Sequence, residues 1–477
     1  MKFIEVCKVF EKLSNSSKRL DKILILRDFL LSHKKNAPLV FDMISGNFQR
    51  KIEKKSLAIS LKTVISVLSF LSNKSENFLD KQFNSIGDIG EIASLNVVVS
   101  KSASLLAHED LELKDIILAF EQISARTGNN SNKIKKEVLT KLFFKTTSKL
   151  EIKYLARLLV DDLRIGVSEG VLREASVNAL FPQIIGIHSI CDKCGYVNFN
   201  SKSCVSCKYD IDLNLQKDLF SKYYKLIEVE TPQEIVGLNN FISTRNEIEN
   251  LKYLLRQNRN LFVIDSQNPR EYYNKFLFLF EMKYNILNSF EDILVDLFED
   301  LQRVALHNIV VGVPIRSMLG TRASTIDESF DMTGKPSFLD YKYDGLRVQI
   351  HNNYGDVTLF SRNLDNITKQ FPEVVEYIKD NFSDLSFVVD SECVGFDFKK
   401  GVFLPFQMLS KRILTKNIDE VSHIHVIAKF FDIMYLNGET LIDKDFELRR
   451  KKLENILINR PLRQKLLFNI EDLKNLK

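Results

Sequence analysis

Hydrophobic residues recur at every third or fourth position through roughly the first 185 residues, and short polar breaks interrupt them. This spacing predicts amphipathic α-helices, so the first part of the chain is expected to be an all-α domain of several packed helices. The clearest helical segments lie at residues 3–13, 20–31, 52–71, 113–125 and 133–144.

From about residue 317 the pattern changes to short β-rich runs bounded by turns, which predict strands. Turns at Asp344-Gly345 and Tyr354-Gly355 predict hairpins, and residues 446–458 predict a charged helix. The second part is therefore expected to be an α+β domain whose polar residues gather at strand ends. The predicted strands cover residues 337–343, 347–352, 357–360, 387–389 and 426–431.

Between these two parts the pattern is less regular. Residues 212–278 are expected to be mostly helical, with one short strand at 261–264. Residues 307–318 contain Gly and Pro and predict a segment that connects two domains. A chain of 477 residues with 45% hydrophobic and 27% charged residues fits a soluble protein of two to four domains.

Charge and hydropathy exclude membrane and secreted proteins and indicate an anionic partner. No apolar run approaches the roughly 20 residues of a membrane helix, and charged residues interrupt the N-terminus, unlike a secretory signal. Residues 1–185 carry 29 Lys and Arg against 21 Asp and Glu, a net charge of +8, and the remainder has a net charge of −3. A basic helical domain is expected to meet a polyanion, although a solvated basic surface would carry the same charge.

Three breaks in the helical part place small residues where a helix begins. The unpaired N–H groups and the dipole of a helix N-terminus bind phosphate, so these breaks predict contacts with a nucleic-acid backbone. An ordinary helix cap is the alternative at each of them. The candidate nucleic-acid-binding residues are Gly87, Gly90, Gly128, Ser131, Arg164 and Gly166.

Four cysteines form two CxxC pairs separated by nine residues: Cys191 with Cys194, and Cys204 with Cys207. Thiolates at this spacing can complete a tetrahedral zinc site, and no further ligand for an open site lies nearby. We therefore expect structural zinc in a ribbon-like knuckle at residues 191–207. Disulfides or unrelated cysteines are the alternatives, and disulfides are rare inside cells.

The strongest candidate for chemistry is Lys342, which lies between Asp340 and Asp344 and is followed by Arg347. A lysine must lose its proton to act as a nucleophile, and an unperturbed lysine keeps that proton up to about pH 10.4. Burial, a neighbouring cation or a metal would lower that pKa. The alternative is an exposed lysine on an ordinary hairpin, because the KYDG pattern alone is weak.

Four further residues at strand ends are expected to converge with Lys342 on one pocket. They supply partners for phosphate or ribose, a carboxylate for sugar or metal, and an aromatic platform for a base. A nucleotide needs groups of these types. The four residues are Arg347, Arg362, Glu392 and Phe431.

The sequence resembles ATP-dependent DNA ligases of the archaeal and eukaryotic replicative type. The matching stretches in the second part are LDYKYDGLRVQIH, LFSRNLDNITKQFPEV, FVVDSECVGFD, PFQMLSKR and FFDIMYLNGETL. Those before it are SIGDIGEIAS, TGNNS, LLVDDLRIGVSEGVLREA, KYNILNSFEDI and GVPIRSMLG. The resemblance covers nearly the whole chain except roughly residues 186–275, which look like an insertion that carries the four cysteines.

The resemblance implies a three-step reaction that seals nicks in duplex DNA. A lysine attacks the α-phosphorus of ATP and forms lysyl-AMP, the AMP passes to the 5′-phosphate of the nick, and the 3′-hydroxyl displaces it. By motif match Lys342 is the nucleophile. Arg347 and Arg362 would hold the nucleotide, and Phe431 would stack on adenine.

Two carboxylates have further implied roles in this pocket. Glu392 would contact ribose or magnesium, which shields phosphate charge in phosphoryl transfer. Asp340 stands where the family usually has a glutamate beside adenine, and its side chain is one methylene shorter. The implied cofactors are therefore ATP, Mg²⁺ and structural Zn²⁺.

The implied fold is an all-α DNA-binding domain at residues 1–310, with the insertion at 186–275, followed by an α+β nucleotidyltransferase (ATP-grasp-like ligase) domain at 311–477. Only 45 residues follow Asp432. The adenylation domain is therefore expected to be truncated and the OB-fold domain absent, with little complete ligation by this chain alone. The alternatives are an inactive protein that binds nicked DNA, and another lysine nucleotidyltransferase of the RNA ligase or capping type.

The implied partner is nicked double-stranded DNA, and no membrane is expected. The resemblance leaves two further partners open, a sliding clamp and a separate chain. The separate chain would supply the family's later motifs, a glutamate-glycine stretch for metal and a pair of lysines for the α-phosphate, which are expected to be missing here. The implied location is the cytoplasm of an archaeon-like cell, in association with the nucleoid, or the nucleus of a eukaryotic cell.

Overall fold

The computed structural model contains two compact units, Met1–Tyr284 with Ser289–Leu306 and Asn285–Asn288 with His307–Lys477. We call the first the helical unit and the second the sheet unit. The residues that the structure describes are 1–46, 59–98, 110–124, 131–186, 269–299, 309–318, 320–334, 337–397, 400–414 and 424–458, with parts of 188–264. Within these ranges no helix is both long and apolar enough to cross a membrane.

The helical unit follows the hydrophobic pattern closely. The predicted helices at 3–13, 20–31, 113–125 and 133–144 are present with ends that differ by two residues or fewer. The first half of the predicted helix at 52–71 lies largely outside the described residues. The described helices are α1 Phe3–Asn15, α2 Arg19–Ser32, α3 Ala37–Ser45, α4 Leu61–Ser72, α5 Glu76–Ile86, α6 Ile89–Asn96, α7 Leu113–Ser124, α8 Ser131–Phe144, α9 Lys149–Leu159 and α10 Glu169–Leu180.

Helix α9 lies at the centre of the helical unit. Ser148 accepts the N–H of Glu151 at 3.2 Å, and the Glu151 carboxylate accepts the N–H of Thr147 at 2.6 Å, which forms a reciprocal cap. From Glu151 to Leu159 the helix is buried at every position except Lys153. A helix that is buried all round must be packed on several sides, so α9 organises the helices that surround it.

Asp42 in α3 caps a helix that lies far away in the sequence. After α11 Pro269–Leu287, helix α12 Phe290–Glu299 begins at Ser289. The fully buried Asp42 carboxylate accepts the Ser289 hydroxyl at 2.8 Å and the N–H groups of Phe290 at 2.6 Å and Glu291 at 3.2 Å. These bonds satisfy unpaired donors of the helix N-terminus and fasten α12 to α3.

The insertion and the residues just before it contribute strands that the sequence pattern predicted only in part. Strands β1 Gln183–Gly186, β4 Lys225–Val229 and β5 Asn260–Ile264 form a parallel sheet in the order β1-β5-β4, and β2 His188–Ile190 pairs with β3 Val197–Phe199. The prediction of helix over 212–278 is therefore wrong at 225–229. A short apolar run does not distinguish helix from strand, and the partner of β4 lies 35 residues later in the chain.

The sheet unit is built on a largely antiparallel sheet in the order β11-β10-β8-β6-β7, with β9 paired to β8. The strands are β6 Leu346–Asn353, β7 Asp356–Ser361, β8 Ser386–Asp397, β9 Val402–Phe403, β10 Val426–Leu436 and β11 Glu439–Thr440. The helices are α13 Ile326–Thr333, α14 Pro372–Phe382, α15 Phe406–Leu414 and α16 Phe446–Ile458, with a 3₁₀ turn at Thr368–Gln370.

Alternation along the strands gives this sheet one apolar and one polar face. Val348 and Ile350 of β6 face a core that also contains Val389 of β8 and Phe430 of β10, against helix residues such as Ile378. The opposite face carries the polar side chains of Arg347, Gln349, Asp390 and Glu392, which lie between small apolar clusters around Val388 and Val394. That polar face holds the candidate active site.

The strand predicted at 337–343 is wrong, and so is the hairpin at Asp344-Gly345. Residues 337–344 are described without regular secondary structure. Both sides of β6 are already paired, with β7 and β8, so the preceding segment has no free edge beside β6 on which to add a strand. The hairpin predicted at Tyr354-Gly355 is confirmed, because it joins β6 to β7 with positive φ at both turn residues.

Candidate functional site

The loop that carries Lys342 is held against strand β8. The Gly345 N–H donates a hydrogen bond to the Glu392 carboxylate. A Cβ atom on Gly345 would lie 2.4 Å from the Cys393 carbonyl oxygen, so no larger residue fits there without moving the loop. Lys342 itself is exposed, three residues before this contact. A glycine is therefore what brings the Lys342 loop onto the strand.

A row of charged residues crosses the polar face beside Lys342. The strand register places Arg347 of β6 and Lys429 of β10 on either side of Glu392 of β8. Burial raises the pKa of Glu392, while Arg347, the Gly345 N–H and Lys342 act in the opposite direction. Lys342 and Glu392 are thus close enough to interact electrostatically, as the predicted pocket requires.

Arg347 is fixed by a buried carboxylate that the sequence analysis did not single out. Its Nε donates to Asp390 Oδ1 at 3.3 Å, and its Nη2 forms a second bond to Asp390 Oδ2. Burial raises the pKa of Asp390, and the Arg347 guanidinium opposes that shift. Asp390 lies two residues before Glu392 and so shares its face, which is the signal that would have identified it.

Phe431 lies at a bulge in β10. The register between β10 and β8 shifts between Phe430 and Asp432, which leaves Phe431 without a partner of its own. The Arg347 guanidinium carbon lies 5.5 Å from the centroid of the Phe431 ring. Bulges redirect side chains next to functional sites, and here the bulge accompanies an aromatic ring beside the charged row.

Asp340 is engaged by an arginine from the last described helix. Arg450 Nη1 of α16 lies 3.2 Å from Asp340 Oδ2 and donates to the Phe431 carbonyl oxygen at 3.0 Å. Arg450 is 9% exposed. One guanidinium therefore joins the loop that carries Lys342 to the bulge that carries Phe431. No local sequence signal indicated this role for Arg450.

Arg362 is the predicted site residue with the least support from geometry. It follows β7, one position beyond the pair formed by Val348 and Ser361, so it lies at the same end of the sheet as Arg347. Its side chain is exposed. Asp432, which follows Phe431 in β10, pairs with Arg449 of α16, with Nε–Oδ1 and Nη2–Oδ2 distances of 2.8 and 3.1 Å.

Residues 309–318 lie on the polar face and are not a free connection between domains. Gln349 accepts the Ile315 N–H at 2.7 Å and donates to the Ile315 carbonyl at 3.1 Å. The fully buried His351 accepts the Gly312 N–H at Nδ1, 3.0 Å away, so its proton is on Nε2, 2.9 Å from Gln349 Oε1. The interpretation of 307–318 as a connecting segment therefore needs correction for its described part.

Lys429 is a second amine in this region and, unlike Lys342, it is buried. It is 2% exposed, and burial lowers its pKa to about 8. Its Nζ lies 5.8 Å from the ring centroid of Tyr343 and 5.9 Å from that of Phe403. Its position in the otherwise apolar run 426–431 could have identified Lys429 as a candidate site residue from sequence, but it was not among the predicted residues.

The four predicted zinc ligands lie together in the helical unit. The sulphur atoms of Cys191, Cys194, Cys204 and Cys207 all lie within 4.8 Å of one another. The closest pairs are Cys191–Cys207 at 3.4 Å and Cys194–Cys204 at 3.5 Å. Tetrahedral coordination with Zn–S bonds of about 2.3 Å separates sulphurs by about 3.8 Å, so this cluster fits one zinc ion.

The predicted DNA contact at Gly90 does not fit the geometry. Asp88 caps α6 and accepts the Gly90 N–H at 2.9 Å, and a Cβ on Gly90 would lie 2.7 Å from the Lys153 carbonyl oxygen. Arg157 pairs with Asp88 at 2.6 Å, and this partner lowers the pKa of Asp88 against the effect of burial. Gly90 is therefore a packing glycine, and a carboxylate already occupies this helix N-terminus.

The other candidate DNA-binding residues differ in their surroundings. Gly87 ends α5 with φ +72° and has open space around it. Gly128 lies outside the described residues, and Ser131 begins α8. Arg164 and Gly166 lie in the loop before α10, both with positive φ, beside an open cavity of about 480 Å³.

Two family models match this chain. The DNA ligase N terminus matches residues 2–176, within the helical unit, and the ATP dependent DNA ligase domain matches residues 317–476, within the sheet unit. The two matches together take up well over half of the chain.

Relatives with established names match along almost the whole sequence. The DNA ligase of Nanoarchaeum equitans is 26% identical over 96% of this chain and 64% of its own length. The DNA ligase of Sulfolobus acidocaldarius is 26% identical over 96% of this chain and 63% of its own length. The chain thus spans a little under two thirds of the length of these relatives.

Among solved structures, the ligase domain of M. tuberculosis LigD aligns with 27% identity and a TM-score of 0.22, over 25% of this chain and 37% of that one. This score is too low to support a structural argument. The two family models and the archaeal relatives show that the chain belongs to the ATP-dependent DNA ligase family.

Proposed function

We propose that this protein seals nicks in double-stranded DNA through a lysyl-AMP intermediate on Lys342. The observation that carries the proposal is the grouping of Lys342, Arg347, Glu392 and Phe431 at one end of the sheet's polar face. This grouping places an exposed amine next to a carboxylate, a guanidinium and an aromatic ring. A nucleotide α-phosphate bound there would lie within reach of the amine.

Each residue of the pocket has a proposed task. Lys342 attacks the α-phosphorus of ATP, and pyrophosphate leaves. Phe431 provides a face for adenine, and Arg347, oriented by Asp390, interacts with the nucleotide. Asp340 is held by Arg450 at the edge of the base site. We keep Arg362 as a further phosphate contact, since an exposed arginine at the end of β7 is free to turn toward a bound nucleotide.

Magnesium and zinc are proposed at two different sites. Glu392 is a half-buried carboxylate beside Lys342 and could hold Mg²⁺ together with substrate phosphates, where the ion would neutralise phosphate charge. The four cysteines would hold Zn²⁺ as thiolates, and the ion would fix the fold of residues 191–207.

The two units divide the work in this proposal. We assign DNA binding to residues 1–310, which include the zinc-bearing insertion at 186–275, and adenylation to residues 311–477. The basic excess of residues 1–185 supports the first assignment, because phosphate neutralisation supplies most sequence-independent affinity for DNA. The proposed partner is therefore nicked duplex DNA.

The test is retention of label from α-³²P-ATP on the protein. We expect label that survives denaturation in alkali, where a P–N bond is stable, on the intact chain and on Lys379→Ala, a matched control that removes an exposed lysine from α14 of the same unit. Lys342→Ala should carry none. Equal labelling of Lys342→Ala and the intact chain would contradict the assignment of the nucleophile.

Other outcomes distinguish the alternative functions. Label from α-³²P-GTP in place of ATP would indicate a capping-type enzyme. Label from ATP that passes to RNA ends and not to nicked DNA would indicate an RNA ligase. Tight binding of nicked DNA without any label would support a non-catalytic DNA-binding protein.

A further inference from the structure

Lys429 of β10 carries a buried ammonium group without an anionic partner. The side chain is 2% exposed, and burial lowers its pKa to about 8, which leaves it largely charged at neutral pH. Among the residues that the structure describes, none forms an ion pair or a side-chain hydrogen bond with its Nζ. A buried charge that nothing neutralises costs stability, so its presence beside the nucleotide pocket indicates a functional role.

The carboxylate nearest to Lys429 by strand register is engaged elsewhere. Glu392 of β8 lies directly opposite Lys429, so the two side chains share the polar face of the sheet. Side chains at such positions are close enough to pair. The Glu392 carboxylate nevertheless accepts the Gly345 N–H, and no ion pair joins it to Lys429 in the described part of the sheet. Other contacts therefore determine where the ammonium lies.

Two aromatic rings surround the Lys429 ammonium. Its Nζ lies 5.8 Å from the ring centroid of Tyr343 and 5.9 Å from that of Phe403 in β9. The Phe403 ring packs edge-on against Phe396 of β8, with centroids 5.3 Å apart. A cation within about 6 Å of a ring centroid is attracted by the ring quadrupole, and the attraction is larger when the cation is desolvated. The ammonium is therefore held by aromatic rings and not by a carboxylate.

Tyr343 anchors the segment that carries Lys342. All side chains of the described segment 337–344 are exposed except that of Tyr343. The Tyr343 ring packs against a small apolar cluster that contains Val394 of β8 and Ile427 of β10. Because Tyr343 follows Lys342 directly in the chain, the position of its ring limits where the Lys342 amine can reach.

We propose that Lys429 is a positioning residue for lysyl-AMP formation, whose ammonium holds the Tyr343 ring and thereby keeps the Lys342 amine within reach of the nucleotide α-phosphate. This inference rests on the proposed function, because Lys342 is the proposed nucleophile. Lys429 itself does not contact the nucleotide, since its side chain is buried beside the two rings. A methionine would fill much of the same space, so the proposal assigns the effect to the charge of Lys429 and not to its bulk.

The test measures lysyl-AMP formation by the intact chain and by Lys429→Met over a series of ATP concentrations. We expect a maximum rate about tenfold lower, with a KM for ATP within about twofold of that of the intact chain, because the contact orients the nucleophile and does not hold the nucleotide. The melting temperature of Lys429→Met should be at least as high as that of the intact chain, since the substitution removes an unpaired buried charge. A purely structural role would lower it.

A second set of variants tests whether the effect passes through Tyr343. Tyr343→Leu removes the ring, and the addition of Lys429→Met to it should lower the maximum rate little further, because the contact is already lost. Tyr343→Phe keeps the ring, so Lys429→Met should still lower the rate about tenfold in that background. Lys429→Arg keeps a cation that packs on aromatic rings and should retain more activity than Lys429→Met.

Two controls separate this role from general effects of substitution. Lys400→Met makes the same change at a lysine shortly before β9 whose side chain is 77% exposed, and it should form lysyl-AMP at the rate of the intact chain. Leu359→Ala removes a fully buried side chain from the core on the opposite face of the sheet. It should lower the melting temperature without a comparable loss of rate.

The outcomes are distinct for the inference and for the function on which it rests. An intact chain that takes no label from ATP would overturn the proposed function, and the inference with it. Label on the intact chain with an equal maximum rate in Lys429→Met would overturn the inference alone. A higher KM at an unchanged maximum rate, or full additional loss in the double variant with Tyr343→Leu, would do the same. A melting temperature of Lys429→Met that falls as far as that of Leu359→Ala, or a failure to fold, would show a structural role and also overturn the inference.

Discussion

Asp340 and Arg450 lie 110 residues apart in the sequence, and their side chains meet at 3.2 Å beside the candidate nucleotide pocket. The same Arg450 nitrogen binds the carbonyl of Phe431 at 3.0 Å. Both contacts belong to groups that border the proposed base site. Arg450 therefore sets the separation between the Lys342 loop and the aromatic platform, although it has no proposed contact with the reacting atoms.

The first prediction concerns this bridge. Arg450→Met should raise the KM for ATP in lysyl-AMP formation about tenfold, because it removes the charge-assisted bonds that join Asp340 to the Phe431 carbonyl, worth about 1.5 kcal/mol. Label retention measured against ATP concentration gives the value. Lys451→Met is the matched control, since Lys451 pairs with Glu447 on the exposed side of α16 and should leave the KM unchanged. An unchanged KM in Arg450→Met would show that the bridge does not shape the base site.

The second prediction concerns the glycine that pins the Lys342 loop. Gly345→Ala places a Cβ 2.4 Å from the Cys393 carbonyl oxygen, so the loop must move away from β8. Displacement of a nucleophile by about 1 Å costs on the order of a hundredfold in rate, and we expect at least that loss of labelling. Gly320→Ala, where the added Cβ meets nothing within 4 Å, should label normally. Equal labelling of the two variants would contradict the pinning of the loop by Gly345.

The sequence was informative where the signal is local and less so where residues distant in the chain meet. The helices of the helical unit and the positions of β8 and β10 follow from the pattern, but the predicted strands at 387–389 and 426–431 end too early, so Glu392 and Phe431 lie within the strands and not at their ends. The loop at 337–344 resembles a strand in composition, and only the occupied sides of β6 show that it cannot pair there. In the same way, the bulge at Phe431 depends on how β10 meets β8, which no single segment determines.

The partners of the site residues show the same limit. Asp390 could have been found from its spacing to Glu392, because alternate residues of a strand share a face. Arg450, Gln349 and His351 each contact a residue at least 30 positions away, and the sequence around them does not indicate these partners. The cysteine cluster could be predicted because its four residues lie within 17 positions of the sequence.

The third prediction is a pH dependence of stability that depends on His351. Burial lowers the pKa of His351 from 6.5 to about 3, so the folded protein keeps this side chain neutral where an unfolded chain would protonate it. Between these two pKa values the unfolded state binds more protons, and stability is therefore lost as the pH falls below about 6.5. From pH 7 to pH 5 the expected loss is about 2 kcal/mol.

Calorimetric unfolding of the intact chain and of His351→Gln at both pH values checks this expectation. His351→Gln should weaken the dependence of the unfolding free energy on pH. It should also lower stability at pH 7, because the hydrogen bond from the Gly312 N–H is altered. His425→Gln, which replaces an exposed histidine of the same unit, should retain the pH dependence of the intact chain. If His351→Gln retains that dependence too, another group is responsible.

The fourth prediction concerns metal content. The closest sulphur distances, 3.4 and 3.5 Å, are too long for disulfide bonds of about 2.05 Å and close to the separation in a tetrahedral zinc site. Purified protein should therefore contain one zinc ion per chain by elemental analysis. Cys204→Ser should lose the metal because Cys204 is fully buried in the cluster, whereas Cys7→Ser, at a buried cysteine of α1, should keep it.

Removal of zinc by a chelator should increase proteolysis within residues 188–210 and leave lysyl-AMP formation intact, since metal binding there stabilises the local fold. A protein that is free of zinc and equally resistant to protease would contradict the structural role of the cluster.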